Sequence, residues 1–193
     1  MPFGGNWSEE LVAEWLSLKG YLVEVHVPAG SAEAGGRYAA DVVGVKVKGG
    51  KMEICHAEVG TLPRDFEKSV ETIKRKFSES VVERIKRYFQ ERIKISEGTS
   101  VEYKKVYVTV YVSKKVFNRL KEEKKEVEVK TLQDVIKDAI EEIRNFHPNG
   151  IKSARGTLPE SLWLLKLIEH IQPWLVLEKK QEKEREKRAE QKP

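Results

Sequence analysis

The sequence predicts an α/β protein in which helices cover a mixed sheet. Segments with helical spacing of apolar residues alternate with strand-like segments, in the order αβββα followed by βαβα. A Gly-Gly pair between two strand segments indicates a tight hairpin. Residues 103–112 are the clearest strand of the chain, because the valines at 106, 108, 110 and 112 alternate with Tyr107, Thr109 and Tyr111. These observations establish the fold class before any motif is considered.

The chain opens with a predicted helix and strand. Residues 6–19 have a helical pattern, with four apolar residues on one face: Leu11, Val12, Trp15 and Leu16. Gly20 ends this helix, and residues 21–27 follow as a strand that Pro28 stops. The loop that follows, residues 29–36, is rich in glycine, alanine and serine.

The hairpin places two acidic residues on neighbouring strands. Residues 37–48 and 51–59 form its strands, and glycine at both turn positions accepts the positive φ that primed turns require. With a two-residue turn Lys48 opposes Lys51, and counting back along both strands sets Asp41 opposite Glu58. Like charges so placed destabilise a sheet, and a hard divalent cation such as Mg²⁺ would remove the repulsion. Solvated charges at strand ends are the alternative interpretation.

The second half of the predicted domain begins at Thr61, which we expect to cap a helix. Apolar residues then continue at helical spacing through residue 93, as one long helix or as two joined near residues 78–80. After the strand at 103–112, Ser113 is expected to cap a helix over 114–123. A fifth strand is predicted at 127–129, and Thr131 is expected to cap a helix over 132–146.

The order of these elements resembles the PD-(D/E)XK nuclease superfamily, and in particular the archaeal Holliday-junction resolvases. The matching segments, all within residues 6–112, are Ser8-Glu9-Glu10-Leu11, Lys19-Gly20-Tyr21, Ala40-Asp41-Val42-Val43 and Ala57-Glu58-Val59. The resemblance implies a restriction-endonuclease-like αβββαβ core with a helical C-terminal extension. It also implies a Mg²⁺ or Mn²⁺ ion held by Asp41, Glu58, the Val59 carbonyl and the helix-borne Glu9 (or Glu10). Glu9 has an alternative role as part of a helix capping box with Asn6.

The chain departs from the family motif at Gly60, where the family has a lysine that orients or deprotonates the attacking water. His56 lies on the same strand face as Glu58, so it is the first candidate to replace that lysine. Arg64, Lys68 and Lys74 on the following segment are the other candidates.

Three functions follow from this pattern. The first is a metal-dependent nuclease that acts on DNA phosphodiesters, with structured DNA as a candidate substrate. The second, favoured by Gly60, is a catalytically inactive nucleic-acid-binding or assembly protein that retains the nuclease fold. The third is a purely structural oligomer whose acidic pair has no role.

Basic residues near the hairpin and beyond it are candidates for phosphate contacts. Lys74 and Arg75 lie on the basic face of the segment after Gly60, and Lys152 and Arg155 lie in a loop bounded by glycines. The net charge of +5 is compatible with a nucleic-acid partner but does not require one. Ordinary exposed basic residues are the alternative.

Composition narrows the class of protein. Charged residues make up 35% of the chain and are dominated by lysine and glutamate, which is typical of hyperthermophile proteins and agrees with the archaeal resemblance. The single Cys55 excludes an intrachain disulfide and a cysteine-based zinc cluster, and we expect it to be a buried core residue. With no long apolar run and no signal-peptide pattern, we expect a cytoplasmic protein without membrane contact.

We expect three regions along the chain: a nuclease-like α/β domain at 1–147, an apolar helical extension at 148–177 and a charged tail at 178–193. A turn at 147–150 marks the first boundary. The extension is too apolar to stay exposed, and we expect residues 158–177 to pack on the domain or form a homodimer contact.

Overall fold

The computed structural model describes residues 7–30, 38–93, 100–123 and 126–146. A five-stranded mixed sheet with the strand order β1-β2-β3-β4-β5 forms the centre, which confirms the α/β class. The first three strands are antiparallel, and β3, β4 and β5 are parallel. The elements are α1 (Trp7–Leu18), β1 (Leu22–Pro28), β2 (Ala39–Lys48), β3 (Lys51–Thr61), α2 (Phe66–Lys76), α3 (Glu79–Ile93), β4 (Ser100–Tyr111), α4 (Lys114–Glu123), β5 (Glu128–Thr131) and α5 (Leu132–Phe146).

The predicted hairpin register is confirmed. Gly49 and Gly50 have φ values of 58° and 74°, the left-handed region that glycine adopts without a steric penalty. Lys48 pairs with Lys51, and the same register continues as far as the pair Val42 and Ala57. Asp41 and Glu58 are therefore one step further along the two strands.

The predicted helix start at Thr61 is wrong. β3 continues through Gly60 and Thr61 because both pair with the parallel strand β4. The helix begins at Phe66 instead, where the Asp65 carboxylate accepts a hydrogen bond from the Lys68 backbone N–H at 2.9 Å. Of the two arrangements expected for residues 66–93, the structure has two helices, α2 and α3.

The two later helix caps are confirmed. The Ser113 hydroxyl accepts from the Val116 backbone N–H at 3.4 Å at the start of α4. At the start of α5 the Thr131 hydroxyl accepts from the Asp134 N–H at 3.1 Å, and the Asp134 carboxylate accepts from the Thr131 N–H at 2.8 Å. This reciprocal pair satisfies backbone donors that a helix start leaves free.

The sheet has two differently covered faces, and β3 contributes alternate residues to each. Cys55, Ala57 and Val59 pack with α1 and α5 in one apolar cluster, so the predicted core role of Cys55 is confirmed. On the other face Ile54 packs with α3, and His56 stacks edge-on against Phe77 at the end of α2. His56 and Glu58 lie on this second face.

Some predictions fall outside the described residues. They concern Asn6, the C-terminal extension with its expected dimer contact, the charged tail, Lys152 and Arg155. In the part of the chain that the structure describes, no helix is both long enough and apolar enough to cross a membrane.

Candidate functional site

Glu58 lies at the centre of a polar network on β3. Its side chain is fully buried, and its Oε1 accepts a hydrogen bond from the Tyr38 hydroxyl at 2.7 Å. The same oxygen is 2.7 Å from His56 Nε2. Its Oε2 is 2.5 Å from Lys76 Nζ at the end of α2. Burial of a carboxylate is costly unless it has such partners, so this network accounts for a charge inside the fold.

Asp41 on β2 lies next to this network. Its Oδ2 accepts a hydrogen bond from the Val59 backbone N–H at 2.8 Å, a bond that links β2 to β3 beside Glu58. Lys76 Nζ is 3.9 Å from the same Asp41 oxygen, so one ammonium group contacts both carboxylates. The Asp41 side chain is 17% exposed, so the pair opens to solvent on the Asp41 side.

The two carboxylates differ in their protonation equilibria. Burial and the adjacent Glu58 charge raise the pKa of Asp41 to about 7, although the Val59 N–H and Lys76 act to lower it. Burial also acts to raise the pKa of Glu58, but its contacts with His56 and Lys76 outweigh burial and hold that pKa below its ordinary value. The repulsion between the two carboxylates, expected from the hairpin register, is therefore seen in the raised pKa of Asp41 and not in that of Glu58.

The groups that touch Glu58 are themselves held in place. His56 is fully buried, and its Nδ1 lies 2.9 Å from the Tyr103 hydroxyl, which fixes the orientation of the ring. Burial and the Glu58 charge raise the pKa of Tyr38 far above its ordinary value, so its hydroxyl remains a hydrogen-bond donor. The Tyr38 ring also lies 5.0 Å from Lys76 Nζ, within the range of a cation–π contact.

The lysine at this site is Lys76, and neither Lys68 nor Lys74 takes the position expected for them. Both are exposed, and among the described residues neither forms an ion pair with Asp41 or Glu58. Lys76 follows the buried Ser69 and Ile73 by seven and three residues, so it lies on their side of α2. The sequence feature that could have identified Lys76 is its helical spacing from the residues of α2 that face the core. His56, by contrast, does contact Glu58 as expected.

Gly60 lies close to a tyrosine of the neighbouring strand. A Cβ added at this position would lie 3.2 Å from the Tyr107 hydroxyl, which is closer than an ordinary van der Waals contact. Tyr107 is buried on β4 and pairs with Glu58 in the parallel ladder. The space that a side chain at position 60 would enter is thus partly taken by a tyrosine.

Glu9 lies on α1, which packs on the face of the sheet opposite to Glu58, and its described contact is with His26. Its Oε2 is 3.7 Å from His26 Nε2. His26 has a φ of 54°, a left-handed conformation that a residue with a side chain rarely adopts. It lies between the pairs Val25–Val42 and Val27–Ala40, which is the level of Asp41.

The oxygen donors of this site are the two carboxylates of Asp41 and Glu58. Among the described residues no group of three or more histidine, cysteine, aspartate or glutamate side chains is placed to hold a metal. Magnesium, however, is commonly bound through one or two carboxylates, with water and substrate phosphate completing its shell. Asp41 and Glu58 provide such a pair, and the Lys76 ammonium beside both shows that they accommodate positive charge.

The remaining predicted residues of the described chain lie on two sides of α2. Arg75 lines a cavity with Tyr38 and Lys76, whereas Lys74 lines a separate cavity with Lys105. Val59 contributes its backbone N–H to the site, where it donates a hydrogen bond to the Asp41 carboxylate.

In comparisons with known proteins, no family model, curated protein or solved structure matches this chain.

Proposed function

We propose that this protein is a metal-dependent nuclease of the PD-(D/E)XK type that cleaves DNA phosphodiesters. The observation that carries the proposal is the convergence of Asp41, Glu58 and Lys76, two carboxylates and an ammonium group, on the adjacent strands β2 and β3 and the end of α2. The strand order, with three antiparallel strands followed by two parallel ones, is compatible with a restriction-endonuclease-like core.

The proposal gives each residue a role. Asp41 and Glu58 would hold Mg²⁺ or Mn²⁺, with the Val59 carbonyl and Glu9 as further ligands implied by the family resemblance. When bound, the ion would stabilise the negative charge that develops on the phosphate. Lys76 takes the role of the motif lysine and holds the attacking water, because its ammonium lies beside both carboxylates.

Tyr38 and His56 act as positioning residues for Glu58. Both approach its Oε1, at 2.7 Å, and leave Oε2 facing Lys76. This arrangement keeps the carboxylate in one orientation at the point where the ion and the water must meet. Contacts to the DNA phosphates are assigned to Lys74, Arg75, Lys152 and Arg155, so binding should weaken as salt rises.

A second candidate is a non-catalytic nucleic-acid-binding or assembly protein that retains this fold. The observation that favours it is the complete set of internal partners around Glu58, since Tyr38, His56 and Lys76 compensate its charge without an ion. In this case the network serves the stability of the sheet.

A cleavage assay separates the two candidates. Single-stranded, duplex and branched DNA would be incubated with Mg²⁺ or Mn²⁺ and with wild-type protein, Asp41→Ala or the control Lys137→Ala, which removes an exposed charge of α5. We expect metal-dependent cleavage that Asp41→Ala abolishes and Lys137→Ala retains. DNA binding without cleavage under either metal would favour the second candidate. Cleavage retained in Asp41→Ala would contradict the assigned site.

The proposal also includes a homodimer contact through residues 158–177, which would place two sites on one DNA substrate. Multi-angle light scattering at micromolar concentration tests it. We expect a mass of two chains, and a monomer would remove the dimer without affecting the assigned site.

A further inference from the structure

A cavity of about 480 Å³ lies between residues 29–30 after β1 and the junction of α2 with α3. We call it the junction cavity. Its lining includes Tyr38 and Lys76, which both contact Glu58. The cavity and the site proposed for cleavage therefore share these two residues.

The lining of the junction cavity suits an anion with an apolar portion. Arg75 and Lys76 supply positive charge, and the hydroxyls of Ser78 and Ser80 lie 3.3 Å apart. Among the described residues that line it, none is acidic. The Tyr38 ring, with Ala29 and Val81, supplies the apolar part of the wall.

The second cavity beside α2 provides a contrast. It is of similar size, about 510 Å³, and its lining includes Lys74 and Lys105. Three glutamates also line it: Glu122, Glu123 and Glu126. Since these carboxylates repel a phosphate, size alone does not distinguish the two cavities, but charge does.

The walls of the junction cavity are tied to the rest of the fold. The Arg84 guanidinium on α3 donates a hydrogen bond to the Gly30 carbonyl. On the other side of the loop, the Ala29 N–H donates to the Tyr38 carbonyl at 3.0 Å. These bonds link Gly30 to α3 and Ala29 to the residue before β2, which holds this part of the wall in place.

We propose that the junction cavity binds one unpaired nucleotide of the DNA strand, next to the phosphodiester that is cleaved. Its volume lies within the range of about 300–1,000 Å³ that is usual for small-ligand pockets. A nucleotide enters such a pocket only when its base leaves the duplex stack. The base would contact the Tyr38 ring, and its phosphate would meet Arg75 and the two serine hydroxyls.

This inference rests on the proposed nuclease function and narrows its substrate. DNA with single-stranded or splayed segments should bind in preference to fully paired duplex, because a paired base is not free to enter the cavity. A duplex-specific enzyme would instead need a groove that accepts both strands together.

Binding measured without metal tests the inference separately from cleavage. Fluorescence anisotropy of labelled single-stranded, splayed and blunt duplex oligonucleotides, in EDTA and low salt, would compare the full-length wild type with Arg75→Ala/Ser80→Ala. Both positions are exposed, and circular dichroism would verify that the variant is folded. Arg87→Ala, which removes an exposed charge of α3 outside the cavity lining, is the matched control.

We expect the double variant to bind single-stranded and splayed DNA about tenfold more weakly, since it loses a charged and a neutral phosphate contact. The control should change by about twofold or less. Equal losses in the two variants, or tighter binding of blunt duplex than of splayed DNA, would overturn the cavity assignment. Cavity-dependent binding with no cleavage under any metal would reject the nuclease and keep the nucleotide site.

Discussion

The two faces of the sheet differ in what they bury, although the same strands supply both. Towards α1 and α5, β3 contributes Cys55, Ala57 and Val59 to a wholly apolar cluster. Towards α2 it contributes His56 and Glu58, which are both fully buried. An apolar residue at either position would serve the core without the cost of desolvating a charge. Under the proposed function, the first face serves stability and the second serves chemistry.

On the face towards α2, which we call the polar face, the buried side chains His56 and Glu58 both have polar partners. Tyr103 holds His56, and Lys76 lies between the carboxylates. The cluster of Cys55, Ala57 and Val59 with α1 and α5 is stabilised mainly by burial of apolar surface. Substitutions on the apolar face should therefore change stability only, whereas substitutions on the polar face should change chemistry as well.

The largest effect is expected for Lys76→Ala, compared with Lys137→Ala on α5, which packs on the other face of the sheet. Loss of the ammonium beside Asp41 and Glu58 should lower the single-turnover cleavage rate by about 10³-fold, or about 4 kcal/mol in the barrier. Lys137→Ala should retain a rate within severalfold of wild type. Equal rates in all three proteins would show that the polar face has no role in cleavage.

His56→Leu should produce the next largest effect, in stability. Leucine fills much of the same volume but leaves Glu58 and Tyr103 without their histidine contact. We expect a loss of about 3 kcal/mol in the free energy of unfolding, because a buried carboxylate loses one of its partners. Urea denaturation without metal measures it. An unchanged or increased stability would mean that Glu58 does not depend on His56.

Asp41→Asn should show a pH-dependent effect on stability. The pKa of Asp41 is about 7 in the folded protein, against an ordinary value of 3.8. Below pH 4 the group is protonated in both the folded and unfolded states, and its contribution is lost as the pH rises through 7. In EDTA we therefore expect Asp41→Asn to match wild type at pH 4 and to exceed it by about 2 kcal/mol at pH 8.

Thermal or urea unfolding at the two pH values tests this prediction. The expected difference of about 2 kcal/mol is smaller than the full pKa shift implies, because the Asp41 side chain is partly exposed and solvent screens its charge. A variant that is less stable than wild type at pH 8 would show that the ionised carboxylate stabilises the fold.

The smallest effect is expected for Cys55→Ala on the apolar face. Removal of one buried sulfur should cost about 1 kcal/mol of unfolding free energy and leave the cleavage rate unchanged. Burial raises the pKa of the Cys55 thiol to about 12, so the native protein should resist thiol-specific labelling. Reduced cleavage in a Cys55→Ala variant of unchanged stability would contradict the claim that the apolar face affects stability only.

The hairpin was predictable from sequence because its cause is local. Two glycines at the turn adopt the positive φ values that a two-residue hairpin needs, and this sets the pairing of Lys48 with Lys51. Strand alternation then placed His56 on the face of Glu58. The caps at Ser113 and Thr131 were predictable for the same reason, since each bond spans three residues.

The end of β3 and the source of the lysine were not predictable in this way. Thr61 has the chemistry of a helix cap, but Gly60 and Thr61 pair with Thr109 and Tyr111 on β4, far along the chain. Non-local pairing therefore overrides the local preference. The predicted Lys68 and Lys74 were wrong as neighbours of Glu58 because the orientation of α2 over the sheet decides which lysine reaches it.

By itself, the sequence determined the register of the hairpin, the face of the sheet on which each strand residue lies, and the placement of Asp41 beside Glu58. Backbone conformation at the turn and side-chain alternation along the strands set all three within a few residues. The tertiary structure decided that Lys76 lies beside them, that Tyr107 partly fills the space next to Gly60, and that Tyr38 and Arg75 line one cavity. These contacts join elements distant in sequence, and only the packing of helices on the sheet brings them together.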